Sequence, residues 1–502
     1  MPLPAQRLIG GEARRDEVAE LGFKRETDTD DSDRVAPSFD VLIIGGGFCG
    51  TALAVQLARR DPELKVAIVD SGRIPGQGLA YGTTYQCHVL NVPAKNMSAF
   101  PEDPEHFVRW ARHHYDPDVQ DGSFLPRMVY GRYLASLLKE AAATSGRDLP
   151  CFRDEAVTLT QTDVLFSTQL KGGRKLLARA VVIATGNVPP GLSSVSGLTD
   201  AATRYVTFAW SQTALQGLRG DADVLLIGAG LTSVDLAIAL ASKGFRGKIQ
   251  MLSRRGLLPQ AHRQTGTWPQ FWNEGSPRTV RGLMRLIRNQ VRAAAKEGLD
   301  WRCVIDALRP VTSDIWRSLP DAERRRFMRH VRPYWDAHRH RVAPEAGERL
   351  SDLIREGRIQ VHGGRLTNYR EDESHATVSY RRRRDGRSEE LRVGRVINCT
   401  GPEADWRRID NSLLSSLFAQ RLARPDPLFL GLDVDPDGSV LNNQLVPSQR
   451  LFAIGPIRKG KLWETTAVPE LRQQASNLAE HIVRIMSAER TAVEASTAPL
   501  RS

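Results

Sequence analysis

Two apolar runs, Val41-Leu42-Ile43-Ile44 and Val224-Leu225-Leu226-Ile227, show no polar alternation, and each leads into a glycine-rich turn and then a stretch of helical period. Unbroken apolar runs of this length suit strands buried on both faces, as in a parallel sheet covered by helices. The first predicts strand, turn, helix (Thr51–Arg60) and second strand (Val66–Val69). The second predicts the same order, with its second strand at Lys248–Leu252. After each unit come strands joined by a turn. Ala156–Leu170 and Lys175–Ile183 meet around Gly172-Gly173 and lead to Ala184-Thr185-Gly186. Ala376–Tyr380 and Glu389–Ile397 meet at Asp385-Gly386 and lead to Asn398-Cys399-Thr400-Gly401. This is a weak internal duplication at long spacing. Between about 260 and 344 the pattern turns helical (Val280–Glu297, Ala322–Val331) and rich in Arg and Trp, including Trp268, Trp272, Trp301, Trp316 and Trp335. A final strand, Leu451–Ile454, ends in Gly455-Pro456, and Val468-Pro469 opens a helix to about Ile485.

The glycine turns carry the candidate chemistry. In Gly45-Gly46-Gly47-Phe48-Cys49-Gly50, Gly45 permits the tight turn, Gly47 lets backbone approach a pyrophosphate, and Gly50 lets helix and strand pack closely. Asp70 ends the second strand twenty residues after Gly50, where an acid binds a ribose hydroxyl. In the second turn, Gly228, Gly230 and Ser233 repeat the motif with Ser in the third position. The strand after it ends in Ser253-Arg254-Arg255, and Arg in place of an acid suits a 2′-phosphate. The second unit is thus expected to prefer NADPH, with NADH as the alternative. Two dinucleotide sites in one chain imply electron transfer between their occupants. The expected fold is α/β: two Rossmann-like, three-layer dinucleotide-binding domains with β-hairpin or meander elements and a helical Arg/Trp-rich insertion.

With 502 residues, two or three domains are expected. The division read from the pattern is a flexible tail at 1–38, a first domain at 39–205 and a second at 206–390 holding the insertion at about 260–344. A return segment to the first domain at 391–490 and a tail at 491–502 complete it. No apolar run approaches the ~20 residues that span a bilayer, and the polar amino-terminus is no signal peptide, so a cytoplasmic protein is expected. The five cysteines are odd in number and widely spaced, which argues against a disulfide framework and a dithiol relay. The net charge of +12 is dense at Arg278–Arg341 and Arg381–Arg384. Without a nucleic-acid motif around it, it reads as solvated helix faces and a field for anionic cofactors rather than a nucleic-acid surface. His338-x-His340 lacks a third ligand at suitable spacing, so no metal is expected. Cys49 reads as a packing residue.

Several further stretches carry a resemblance. They are Gly78-Leu79-Ala80-Tyr81-Gly82, His88-Val89-Leu90-Asn91-Val92-Pro93-Ala94, Met97-Ser98-Ala99-Phe100 and Phe107-x-x-Trp110. Gly228 to Asp235, Trp335-Asp336-x-His338-Arg339-His340-Arg341 and Trp463-Glu464-Thr465 extend it. Over about Phe39–Ile485 the chain resembles the bacterial FAD-NAD(P)-binding family of two-dinucleotide flavoproteins, related in architecture to flavin-dependent N-hydroxylating monooxygenases and, less closely, to disulfide reductases. The resemblance implies FAD in the first unit and NAD(P)H in the second. It places Gly45, Gly47, Gly50 and Asp70 on FAD and the Asn91–Ser98 stretch, with Met97 and Ser98, along the flavin ring. It brings Thr185, Gly186, Thr400 and Gly401 to the cofactors by backbone. Gly455 and the helix from Val468 then meet the ribityl chain and the pyrimidine end. Pro456 stands where many relatives have Asp. His88, Asn91, Lys95 and Asn96 are candidate polar groups near the flavin; no residue is named as a catalytic nucleophile. The expected activity is an FAD-dependent NAD(P)H oxidoreductase, foremost a monooxygenase that uses dioxygen through a flavin peroxide to hydroxylate a small substrate, nitrogenous compounds among the candidates. The competing readings are a reductase feeding a quinone, protein or metal acceptor, and a flavin-bound scaffold with a polyanion-binding surface.

Overall fold

A computed structural model of the chain describes residues 37–497 apart from 73, 192–194, 212, 219–221 and 404. Of the expected tails at 1–38 and 491–502, residues 1–36 and 498–502 lie outside the described residues. Along the chain come β1 (Ser38–Ile44), α1 (Phe48–Arg60), β2 (Val66–Val69), α2 (Arg127–Ser145), β3 (Cys151–Phe152), β4 (Ala156–Gln161), β5 (Phe166–Leu170) and β6 (Lys175–Ile183). The second unit holds β7 (Tyr205–Val206), β8 (Val224–Ile227), α3 (Leu231–Ser242), β9 (Ile249–Ser253) and the insertion helices α4 (Val280–Lys296), α5 (Thr312–Ser318) and α6 (Arg332–Arg339). It continues with β10 (Ile359–Glu371), β11 (Ala376–Arg382), β12 (Ser388–Val393) and β13 (Arg395–Asn398). β14 (Ser439–Leu441), β15 (Pro447–Ala453) and α7 (Val468–Thr497) follow.

Two sheets result. The first has the order β14-β15-β6-β1-β2-β3, and β5 adds β4 beside β6. From β15 to β3 its strands are parallel. The second runs β12-β11-β10-β9-β8-β13-β7, parallel from β10 to β7 and antiparallel through β10, β11 and β12. β12 and β13 therefore stay with the second sheet, and the chain leaves it after Asn398 rather than at 391. α7 also continues through the expected tail to Thr497.

Side-chain alternation explains the layers. Val41 and Ile43 point to the face packed by α1, α2 and α7, while Leu42 and Ile44 point to the opposite face, against Leu413, Leu417 and Val434. All four residues are buried, as their uninterrupted apolar run predicts. α1 is buried from Phe48 to Ala58 because it lies between the sheet and α7. The small Gly50, Ala52, Ala54 and Ala58 allow that close approach.

The insertion differs in detail from its predicted helices. α4 starts at a Thr279 cap, whose Oγ1 accepts from Gly282 N at 3.2 Å. The predicted helix at Ala322–Val331 is instead a short helix at Asp321–Arg326 and a π-helical turn at Phe327–Val331. Pro333, in the first turn of α6, has no N–H to continue the preceding ladder, so a new helix starts there.

Candidate functional site

The two glycine turns have one construction. Gly45 N donates to Val69 O at 2.8 Å, and Gly228 N to Leu252 O at 2.7 Å. Gly45 has φ +113°, and a Cβ there would stand 2.3 Å from Ala184 O at the end of β6. Gly228 has φ +124°, and its Cβ would stand 2.5 Å from Cys399 O at the end of β13. Only glycine meets both demands. Gly47 and Gly230 are the N-cap residues of α1 and α3, and neither helix has a side-chain cap. A Cβ on Gly230 would meet nothing within 4 Å, and one on Gly47 only Gly78 Cα at 3.7 Å. Each helix start thus turns free N–H groups and the positive end of its dipole toward open space, the arrangement that takes a phosphate.

What stands beside each cradle differs. Asp70 follows β2, and its buried Oδ2 has no hydrogen-bond partner. Burial raises its pKa, more than the neighbouring Gly46 and Gly72 backbone lowers it. An orphaned acceptor at that station fits a ribose hydroxyl. Aligning the turns by their glycine-to-strand bonds makes Ser253, not Arg254, the counterpart of Asp70. Ser253 Oγ accepts from Gly256 N at 3.0 Å, which leads the chain directly into Arg254 and Arg255. Burial, and the nearby charges of Arg332, Arg255 and Arg365, lower the Arg254 pKa. Arg255 lies over the Tyr334 ring at 5.4 Å, with its Nε buried and unpartnered. The glycine motif located Arg254 and Arg255. Arg332 from the insertion and Arg365 from β10 join them through tertiary folding, and no local pattern announces them. Four guanidiniums in one place, of which only Arg332 pairs with a carboxylate (Asp336, 3.3 Å) among the described residues, fit a bound dianion.

The residues expected at the flavin fall into three groups. Gly186 (φ +71°), Gly401 (φ +84°) and Gly455 (φ +85°) bring backbone to the ends of β6, β13 and β15. Thr185 and Thr400 are exposed, and Thr400 Oγ1 donates to Asn398 Oδ1 at 2.7 Å. A Cβ on Gly455 would strike Cys49 Sγ at 2.5 Å, so Cys49 packs the glycine turn against the last strand. Burial pushes its thiol up to about 12. Val468 is buried at the start of α7. Met97 and Ser98 behave otherwise: Met97 is core, and Ser98 Oγ donates to Asp103 O at 2.6 Å. Their side chains are spent on packing and a turn, and their backbone is engaged as well: Met97 N donates to Ala94 O at 3.0 Å and Ser98 O accepts from Arg472 at 3.3 Å. Lys95 is exposed, and Asn96 closes a short turn with it.

His88 and Asn91 belong to the seam between the two units. His88 Nδ1 is 2.7 Å from Thr83 Oγ1, its ring meets Trp210 edge-on at 5.4 Å, and its Nε2 is buried without a partner. Asn91 O accepts from His262 Nε2 at 3.0 Å. Arg127 at the start of α2 pairs with Asp235 of α3 at 2.7 Å. Lys243 Nζ donates to Tyr85 OH at 2.9 Å across the same seam.

The insertion is fastened to the first turn of α7 and to the segment before it. Arg309 binds Glu470 through two bonds (2.6 and 3.1 Å), Trp316 Nε1 donates to Gly460 O at 2.8 Å, and Trp335 Nε1 donates to Glu464 Oε1 at 2.9 Å. Burial pushes the Glu464 carboxyl up. Arg339, His340 and the Trp335 indole more than reverse this and hold it well below the usual range. His340 thus faces a carboxylate. Among the described residues no group of three or more His, Cys, Asp or Glu could hold a metal ion, and no helix is long and apolar enough to cross a membrane.

Residues 42–188 match the family model described as FAD-NAD(P)-binding. This segment is an FAD-NAD(P)-binding domain. The thiamine thiazole synthase of Yarrowia lipolytica is 43% identical over 67 residues, 13% of this chain and 21% of that protein. The match thus spans about a fifth of that curated relative. Among solved structures, the reduced ornithine hydroxylase of Pseudomonas aeruginosa superposes with TM-score 0.61 at 17% identity, covering 90% of this chain and 100% of that one. An FAD-bound cadaverine monooxygenase of Erwinia amylovora gives 0.63 at 14%, covering 90% and 95%. A bacillithiol disulfide reductase of Staphylococcus aureus gives 0.55 at 14%, covering 89% and 99%. At these identities the likeness is one of fold: two Rossmann-like dinucleotide-binding domains.

Two outcomes follow. A Cβ on Gly50 would lie 1.9 Å from Gly45 O, and relieving such overpacking costs about 1–3 kcal/mol. Gly50→Ala should weaken FAD retention by roughly tenfold or more, read as lost visible absorbance after gel filtration; a fully yellow variant would contradict the cradle. Burial, with Arg127 beside His88 and Arg341 beside His262, lowers both imidazoles to about 4. The unfolded chain takes up these protons near 6.5 and the folded chain only near 4, so stability falls as pH drops through that window. Calorimetric Tm should decline from pH 6.5 to 4, and His262→Gln, which keeps an N–H for Asn91 O, should flatten the decline. An unchanged slope in the variant would remove His262 from the account.

Proposed function

We propose that the chain is an FAD-dependent monooxygenase that takes its electrons from NADPH and hydroxylates a small nitrogenous substrate in the cytoplasm. The observation that carries the reading is the contrast between the two cradles: an orphaned acid, Asp70, beside one, and an arginine cluster behind Ser253 beside the other. The overall change puts one oxygen atom of dioxygen into the substrate and the other into water. NADPH gives the two electrons as hydride, and solvent gives one proton. FAD, when bound, supplies the electron relay and the activation of oxygen.

The protein supplies binding, orientation and dryness. Gly45, Gly47 and Gly50 admit the FAD pyrophosphate to the start of α1, and Asp70 takes a ribose hydroxyl. Gly228, Gly230 and Ser233 do the same for the nicotinamide dinucleotide, and Arg254 and Arg255 take its 2′-phosphate. In this reading Thr185, Gly186, Thr400 and Gly401 approach the cofactors by backbone, Gly455 and the helix from Val468 meet the ribityl chain and the pyrimidine end, and the Asn91–Ser98 stretch lies along the flavin ring. His88 is better placed to lock the seam than to move a proton, since burial keeps it neutral and Thr83 holds one nitrogen. Cys49, Cys151 and Cys399 are each raised to about 12 by burial. Such thiols stay protonated, which speaks against a dithiol reductase on this fold.

The nicotinamide assignment is tested by steady-state kinetics. NADPH should exceed NADH in kcat/KM, and Arg254→Ala should lower the NADPH value by roughly tenfold or more, the worth of one charge-assisted contact, while leaving NADH nearly unchanged. Equal use of both cofactors by the wild type would overturn the assignment. Oxygen-18 from labelled dioxygen appearing in an organic product separates the monooxygenase from a reductase, which would yield only hydrogen peroxide or a reduced acceptor.

A further inference from the structure

The helices of the insertion pair their charges locally, with one exception. α5 ties Arg317 to Asp314, the short helix Asp321–Arg326 ties Arg324 to Asp321 at 3.3 Å, and α6 ties Arg332 to Asp336 at 3.3 Å. α4 carries Arg281, Arg285, Arg288, Arg292 and Lys296 and no acid. All five are exposed, and among the described residues none of them meets a carboxylate. Arg278, just before α4, is exposed as well.

Their spacing sets them in one row. At 3.6 residues per turn and 1.5 Å per residue, steps of four, three, four and four residues keep all five within about 80° around the helix and spread them over about 22 Å of its length. The buried Leu283 and Ala294 hold the opposite side. Such a row is unfavourable for the helix itself. Arg281–Arg285, Arg288–Arg292 and Arg292–Lys296 are like-charge pairs at i,i+4, and Arg285–Arg288 is one at i,i+3; each is destabilising. Arg281 also stands in the first turn, at the positive end of the helix dipole, where no acid offsets it. A local rule broken repeatedly, with no compensation inside the fold, points to a partner outside it.

We propose that this face of α4 docks the protein on an anionic lipid bilayer, held there by charge and without burying apolar groups in it. A straight row of cations is tangent to a plane along its whole length, so all of them reach a flat layer of phosphate head groups together. The row suits a nucleic-acid duplex less well. Duplex phosphates wind away from a straight rod, and the face offers no aromatic ring on which a base could stack. The apolar side chains of α4 are not free to take part. Leu283, Met284 and Ile287 face Trp316 and Trp335 inside the insertion, so the contact with lipid is electrostatic and salt-sensitive. The net charge of +12 adds a longer-range attraction toward the same surface.

The test is co-sedimentation of the whole chain, loaded with FAD, with vesicles of phosphatidylglycerol and phosphatidylcholine in equal parts and with vesicles of phosphatidylcholine alone, and competition by a random-sequence DNA duplex. At about 0.1 M salt, where charges act over about 10 Å, the mixed vesicles should bind and the neutral ones should not, and about 0.5 M salt should release the protein. The triple variant Arg285→Gln, Arg288→Gln, Arg292→Gln should lose roughly a hundredfold in affinity, about fivefold for each basic residue removed. Its Tm and bound flavin should not fall, because the like-charge pairs leave with the arginines. The control Arg381→Gln, Arg383→Gln, Arg384→Gln removes the same charge from exposed positions at the end of β11 and the turn after it, and should bind nearly as the wild type does. Equal losses in the two triple variants would reduce the effect to net charge and overturn the inference. So would mixed vesicles that bind no better than neutral ones, or a duplex that displaces the protein from them. A lowered Tm in the α4 variant would place the row's partners inside the fold and overturn it as well.

Discussion

The structure depends on one steric constraint, applied twice: the first glycine of each turn lies directly beneath the carbonyl that ends the neighbouring parallel strand. Gly45 under Ala184 O and Gly228 under Cys399 O leave no space for a Cβ. Because β6 and β13 must end where these turns begin, each late strand is fixed beside its early partner, in the registers Ile44↔Ile183 and Ile227↔Asn398. The cradle for a phosphate and the closure of the sheet are consequently the same event. This also explains why Thr185-Gly186 and Thr400-Gly401 occupy equivalent places. Each follows the carbonyl that roofs a glycine turn, so each brings backbone to the mouth of a cradle.

The sequence displayed the parts of this arrangement that are local. Unbroken apolar runs marked β1 and β8, the glycines marked the turns, and the repeated hairpin with its small-Thr-Gly ending marked β6 and β13. The boundary of the second unit was harder to read because β12 and β13 look alike in composition to strands of either sheet; only pairing assigns them. Within the candidate site, Asp70 and Arg254 could be read from motif spacing. Ser253 as the true counterpart of Asp70 emerges only when the glycine-to-strand bonds align the two turns. Arg332 and Arg365 arrive from elements about 80 and 110 residues further along the chain, and a charge brought in from such a distance has no local signature. Met97 and Ser98 differ again: a family stretch marks them, while the demands of the core and of a turn claim their side chains.

The seam between the units follows a different principle from the cradles. Arg127–Asp235 and Lys243–Tyr85 are polar ties, and His88 sits among them buried and neutral. Breaking one partner of a buried pair is costly, although the pair itself adds little to stability. Such contacts fix the relative setting of two rigid domains more than they hold them together. That setting matters in a protein with two dinucleotide sites, because groups that exchange electrons as hydride must come within roughly 3–3.5 Å.

The insertion follows the same logic. Its ties, Arg309–Glu470 and Trp335–Glu464, fasten it to α7 and to the Trp463 segment. The polar groups are thus confined to the joint and the apolar ones to the interior. The small cavity among its helices is walled by indole and aliphatic groups and gives water few partners. The insertion also contributes Arg332 to the arginine cluster beside the second cradle. The appendage leaves the second sheet after β9, at the edge that holds Gly228, because β8 and β9 run parallel.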